Sequence, residues 1–251
     1  NHQGSIEKCK ELFVKAKNSG ANAVKLQKRD NKKLYTKKFF NSIYDNINSY
    51  GKTYGEHREK LEFNENQYKE LFTFAKDINI TLFSTPFDFN SLDFLEKFNC
   101  PFYKVASADI TFIQLIKKIA ETGKPIIIST GFADFEDIDR VLDTVNFKND
   151  VAFLQCSSVY PAEANQINLN VIPEMIKRYP KNIIGYSGHD SGILIPSAAY
   201  LLGARIIEKH FTLSRALKGT DHGMSLEPEG LAKMSNGFKK LKDSLGLKKK
   251  K

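Results

Sequence analysis

The chain has 251 residues, of which 41% are hydrophobic and 27% charged, with a net charge of +9. This length and composition describe an ordinary folded globular protein with room for one full core, and they contain neither an apolar run of about 18 residues nor a secretory leader pattern, so no membrane partner is expected. The positive charge does not signal nucleic acid: residues 239–251, KKLKDSLGLKKKK, hold seven Lys and one Asp and so carry +6 of the +9, without interleaved aromatics for base stacking.

Apolar residues Ile6, Cys9, Leu12, Phe13 and Ala16 follow helical spacing, and Ser19-Gly20 stops that helix. ANAVKLQ reads as a strand. The polar segment from Lys28 to Phe63 shows no strand of its own and reads as a loop or lid. Then helices and strands alternate. A helix from about Asn66 to Lys76 leads to ITLFST, one near Ser91–Phe98 to FYKVAS, and one near Leu115–Glu121 to PIIIST. Helices near Phe135–Val145, Val171–Tyr179 and Ile195–Leu202 lead to VAFLQCS, NIIGYS and ARIIEKHF, and a last helix spans Pro228 to Leu245. Residues 239–251 are expected to be a solvated or frayed basic end. Cys9, Cys100 and Cys156 have no C-x-x-C spacing and read as reduced, buried thiols of a cytoplasmic protein.

Seven strands, each followed by a helix and each a continuous Val/Ile/Leu/Phe run, predict a parallel sheet covered on both faces. Asn1-His2-Gln3-Gly4 stands where a βα loop belongs, so an eighth strand just before Asn1 would complete a single (β/α)₈ TIM barrel over residues 1–251, its first strand missing. A doubly wound open sheet is the alternative, but no G-x-G-x-x-G follows the first strand.

In a barrel the chemistry sits at the C-terminal ends of the strands. Those ends hold Lys25 and Gln27, Ser84 and Thr85, Lys104 and Ser107, Ser129 and Thr130, Ser157, Ser158 and Tyr160, Ser187 and His189, and His210. A single Ser or Thr there often caps the next helix. Two lysines inside strand patterns are costly to bury without an anion, and with several hydroxyls on one rim they describe a phosphate or carboxylate site. A Schiff-base role for Lys25 or Lys104 is the rival enzyme reading, and it has no need of the histidines. His189 and His210, on adjacent strand ends, suit a divalent metal with open positions for water and substrate. Asp221 and His222 add polar groups to the same rim.

The phrases NHQGS, AVKLQKR, LFSTPFD, YKVASADI, KPIIISTGF, LQCSSVYP, IGYSGHDSG, IEKHFTL and KGTDHGMSLEPEGL, in this order, resemble the sialic acid synthase (N-acetylneuraminate synthase) family over nearly the whole chain. The resemblance implies a TIM barrel that condenses phosphoenolpyruvate with an N-acetylated amino sugar, typically N-acetylmannosamine, and releases phosphate, with Mn2+ or Mg2+ as Lewis acid. It implies His189 and His210 as metal ligands, and Lys25, Thr85, Lys104, Ser107, Ser129, Ser158 and Ser187 as holders of phosphoenolpyruvate. Gln27, Asp109, Tyr160 and Asp221 fall on the sugar side, and His189, His210, Lys104 and Asp221 nearest the chemistry. A homodimer is expected on the same ground. Another phosphoenolpyruvate–aldose synthase of the 3-deoxy-heptulosonate type, or a non-catalytic anion- or sugar-binding barrel, is the alternative.

The sequence departs from the family pattern in three places. The family's first-strand glutamate, a few residues before the NH-x-G motif, falls outside this sequence. Asp109 stands where many members have Glu, and Ser158 where some have Asn. The C-terminal antifreeze-like domain of typical members does not follow the last barrel helix.

Overall fold

A computed structural model describes residues 1–145 and 149–246. In chain order the elements are α1 (Ile6–Asn18), β1 (Ala23–Lys28), α2 (Asn31–Leu34), α3 (Lys37–Phe40), α4 (Tyr54–Glu59), α5 (Glu65–Asp77), β2 (Thr81–Pro86), α6 (Phe89–Glu96) and β3 (Tyr103–Val105). They continue as α7 (Ile113–Ala120), β4 (Ile126–Ser129), α8 (Phe135–Val145), β5 (Val151–Cys156), α9 (Val171–Arg178), β6 (Ile183–Gly188), α10 (Leu194–Leu201), β7 (Ile207–Lys209) and α11 (Pro228–Leu245). All seven strands are parallel and pair in chain order.

Local chemistry sets the helix starts. The Ser5 side chain accepts from the Lys8 amide to open α1, and Asn64 with Gln67 forms a capping box on α5. Pro228 opens α11, where its missing N–H costs nothing. Each long helix buries one stripe against the sheet: Leu71 in α5, Leu95 in α6, Ile116 and Ile119 in α7, Val141 in α8 and Met175 in α9 are all fully covered. The three cysteines are free and buried. No helix among the described residues is long and apolar enough to cross a membrane.

Two expectations need correction. The segment from Lys28 to Phe63 is not a structureless loop. It folds into α2, α3 and α4, opened by the side chains of Asp30, Thr36 and Thr53. Isolated helices of four to six residues do not persist in water; these are held by an aromatic cluster in which Tyr54 packs on Tyr35, Phe39 and Tyr44 at 4.6–5.4 Å. Residues 239–245 are likewise helical, the last turns of α11, not a frayed end. The rest of the basic tail, 247–251, lies outside the described residues.

β1 and β7 do not pair with each other among the described residues. Both border a cavity of about 840 Å³, whose floor is apolar and whose mouth is polar. The sheet is therefore curled into a barrel with one open seam, the place an eighth strand would close. Because side chains alternate along a strand, every second residue faces the interior. Lys25 and Gln27 pair with Phe83 and Thr85, Cys156 with Ser187, and Ser187 with Glu208. The residues at these inward positions near the strand ends are nearly all polar.

One buried ion pair locks the seam side. Lys209 Nζ lies 3.1 Å from Asp190 Oδ1, both side chains no more than 4% exposed, and Tyr186 Oη donates to the same oxygen at 2.6 Å. Removing one partner leaves an uncompensated buried charge, so Asp190→Ala is expected to destabilise the protein by about 3–5 kcal/mol, read from urea unfolding. An unchanged midpoint would show that Lys209 finds another partner.

Candidate active site at the strand ends

Lys104 is 2% exposed; its Nζ donates to Ser129 Oγ at 2.6 Å and to the Val105 carbonyl at 2.8 Å. Burial pulls its pKa down to about 8, and the Glu208 carboxylate is the main group resisting that pull. Glu208 sits deep in the protein, yet keeps part of its surface open because that surface is cavity wall. Burial works to raise its carboxyl, but Lys104, Lys25 and His210 outweigh burial and hold it below the ordinary value. Ser187 Oγ donates to Glu208 Oε1 at 3.3 Å. Lys25 lines the same cavity. Lys104 thus has an internal anion beside it, which corrects the expectation that only a substrate could supply one.

The histidines meet. The rings of His189 and His210 lie 5.4 Å apart, and Tyr160 packs 3.9 Å from the first and 6.2 Å from the second. His189 Nδ1 is 2.8 Å from the Ser157 carbonyl, which marks it as the protonated nitrogen and leaves Nε2 free. His210 Nδ1 is 3.5 Å from Asp221 Oδ2. Burial pushes the His210 pKa down to about 4, against the pull of Asp221, and lowers that of His189 as well. Both imidazoles are therefore neutral at pH 7, the form that ligates a metal. Among the described residues no three His, Cys, Asp or Glu side chains converge, so the protein offers two imidazoles and open positions. His222 is not free for the site, because its Nδ1 lies 2.6 Å from Thr212 Oγ1.

The hydroxyls form the other side. The side chains that cap helices here are Ser5, Asp30, Thr36, Thr53, Asn64 and Asp88, none of them a strand-end hydroxyl of the predicted set. Instead Ser107 Oγ accepts from the Gly131 amide at 3.0 Å. A Cβ on Gly131 would stand 2.8 Å from Ser107 Oγ and closer still to Ser158 Oγ, so only glycine lets these two serines approach. Gly131→Ala is expected to push them apart and weaken anion binding about tenfold with the unfolding midpoint little changed, the loss of one charge-assisted hydrogen bond. Thr85 Oγ1, Ser158 Oγ and Asp109 Oδ2 are buried without a hydrogen-bond partner, and burial raises the Asp109 pKa to about 6 against the pull of Arg29. Buried polar atoms left in that state are costly to the fold and are the mark of a ligand site.

The structure brings Lys25, Gln27, His210 and Asp221 to one cavity wall, joins His189 and Tyr160 to His210, and sets Lys104 with Ser129 beside Glu208. Thr85 joins them by pairing with Gln27. Ser107 and Ser158 meet over Gly131, with Asp109 just beyond. Sequence reasoning missed Glu208, Asp190 and the cavity-lining Arg29 and Arg58. Glu208 had a signal: in IEKHF it precedes His210 by two residues and so shares its face.

A sequence model of the NeuB family matches residues 12–250. The N-acetylneuraminate-9-phosphate synthase of Drosophila melanogaster is 39% identical over 244 residues, 96% of this chain and 66% of that protein. Its namesake in Mus musculus is 40% identical over 247 residues, covering 98% and 69%. The chain thus spans about two thirds of the length of these relatives. The crystal structure of N-acetylneuraminic acid (sialic acid) synthetase from Leptospira borgpetersenii serovar Hardjo-bovis in complex with citrate matches with a TM-score of 0.88 at 30% identity, over 100% of this chain and 84% of that one. With the family match running from α1 past the end of α11 and the fold agreeing over its whole length, the chain belongs to the NeuB family.

Proposed function

We propose that this chain is the catalytic barrel of a synthase that condenses phosphoenolpyruvate with an N-acetylated amino sugar, giving a nonulosonate and phosphate. The observation that carries the reading is the inward face itself: a buried lysine and a second lysine beside unpartnered hydroxyl oxygens of Thr85 and Ser158, two strands away from paired neutral imidazoles. The relatives' names describe this class of product, and the anion-plus-aldehyde chemistry fits the residues.

In this reading Lys25 and Lys104 neutralise the phosphate and carboxylate of phosphoenolpyruvate, and Thr85, Ser107, Ser129, Ser158 and Ser187 orient them. Glu208 keeps Lys104 charged despite burial, so the anion meets a cation and not an amine. Gln27, Asp109, Tyr160 and Asp221 face the sugar. Carbon 3 of phosphoenolpyruvate forms the new bond to the sugar's aldehyde carbon, whose oxygen takes up a proton. Water adds at carbon 2, and the bond from carbon 2 to the phosphate oxygen then breaks. The two imidazoles fit a divalent cation such as Mn2+ or Mg2+, held by His189 and His210 with the rest of its shell from water and substrate. When bound it supplies Lewis-acid polarisation of the aldehyde. The sugar belongs to the class of N-acetylmannosamine, its 6-phosphate and the diacetamido sugars.

The test is phosphate release from phosphoenolpyruvate by this chain with Mn2+, across a panel of 2-acetamido sugars, with and without chelator, alongside calorimetric titration of phosphoenolpyruvate. Sugar-dependent, chelator-sensitive release establishes the synthase reading. Failure of phosphoenolpyruvate to bind at all would overturn it.

A further inference from the structure

Beyond the condensation centre, the cavity wall carries a second cationic patch. Arg29 follows Lys25 and Gln27 at the same two-residue spacing, just past the end of β1. Its guanidinium stacks on the Phe87 ring at 3.7 Å and donates to Gln27 Oε1 at 2.7 Å, so it is held in place. Arg58 comes from α4, with its guanidinium 5.7 Å from the Tyr54 ring. Both are half-buried and both line the cavity. Lys218 reaches the same wall from the loop after β7, its Nζ 5.0 Å from the ring of Tyr50, which in turn donates to the Lys218 carbonyl at 2.5 Å.

These charges lack internal anions. Among the described residues neither guanidinium lies within 4.0 Å of a carboxylate. The wall's own carboxylate, Glu62, is taken by Lys28 Nζ at 3.1 Å and by the Arg29 backbone amide at 3.4 Å. Asp109, across from Arg29, has its acidity weakened by burial. The cost shows in Arg29 itself, whose pKa is brought down to about 10 by burial first and by neighbouring Arg58 next. Two like charges kept together and half out of water call for a multiply charged partner. Guanidinium forks match a phosphate monoester, which takes parallel hydrogen bonds from both.

Position says which phosphate. At about 3.3 Å per strand residue, Arg29 stands roughly 13 Å up the chain from Lys25, toward the mouth. That separation fits the length of an extended six-carbon sugar with its aldehyde at the histidines and its last carbon at the rim. We propose that Arg29 and Arg58, assisted by Lys218, form a phosphate subsite for the far end of the amino sugar, so that the sugar this site takes is a 6-phosphomonoester. The inference rests on the synthase reading above.

The experiment is calorimetric titration of the intact chain, saturated with phosphoenolpyruvate and Mn2+, with N-acetylmannosamine 6-phosphate and with N-acetylmannosamine. The phosphosugar is expected to bind about 30-fold tighter or more, the worth of one to two charge-assisted hydrogen bonds. Arg58→Gln and Arg29→Gln should each erase most of that preference, and Arg29→Lys should restore part of it. Inorganic phosphate should compete with the phosphosugar in the parent chain and lose that competition in both Gln variants. Equal affinity for the two sugars would overturn the subsite, as would Gln variants that lose phosphoenolpyruvate as strongly as they lose phosphosugar, since the arginines would then serve the other anion. Absence of phosphoenolpyruvate binding in the parent chain would instead overturn the synthase reading on which the subsite rests.

Discussion

Lys104→Met is expected to weaken phosphoenolpyruvate binding by about 100-fold or more, because it deletes a buried cation whose loss costs about 3–5 kcal/mol at a desolvated charge pair. The same substitution leaves Glu208 facing only Lys25 and His210. The wild-type site also carries a pH signature. Lys104 titrates near 8 in the free protein, so affinity for phosphoenolpyruvate should fall as pH rises through that value. Stability should move the other way. The folded pKa of Lys104 lies below its ordinary value of 10.5. Between about 8 and 10.5 the unfolded chain therefore binds more protons, and unfolding free energy rises with pH as the cost of burying the charge disappears. Lys104→Met should lose both trends together. Calorimetric affinities and urea unfolding from pH 7 to pH 10 read both. A Met variant that binds phosphoenolpyruvate as well as wild type would remove Lys104 from the site.

His210→Ala is expected to abolish Mn2+ uptake and metal-dependent turnover, and His189→Ala to do the same, with little change in fold. The loss should exceed the roughly 10–100-fold that removal of an outer-shell partner costs, whereas Asp221→Asn should fall inside that range, since Asp221 acts on His210 from 3.5 Å. Burial holds the His210 pKa at about 4. Protons therefore compete with metal at His210 only well below pH 6, where an ordinary imidazole would already be charged. The free-Mn2+ signal in electron paramagnetic resonance measures uptake directly, whatever the turnover. Full activity of either Ala variant in the presence of chelator would sink the metal assignment.

Much of this molecule is legible in the chain. Continuous apolar runs such as VAFLQC, buried at all six positions, can only be central parallel strands. Helix stripes, the Ser5 cap and Gly20, at φ +91 where an L side chain is disfavoured, place α1 within a residue or two. The lid was misread for a physical reason. Its helices are too short to show periodicity, and they exist only because Tyr35, Phe39, Tyr44 and Tyr54 pack together.

The amino-acid order by itself determined which elements form, their succession, and which polar residues stand at the strand ends, because those follow from local periodicity and capping. Whether a buried charge is paired depends on neighbours brought from distant strands. Lys104 and Glu208 are 104 positions apart, and Asp190 and Lys209 belong to different strand ends. Curling the sheet decided that Glu208 would offset Lys104, that His189 and His210 would share one space, and that Arg29 and Arg58 would be left without an anion. Electrostatic energy depends on separation in space and on burial, and neither is written in the distance along the chain.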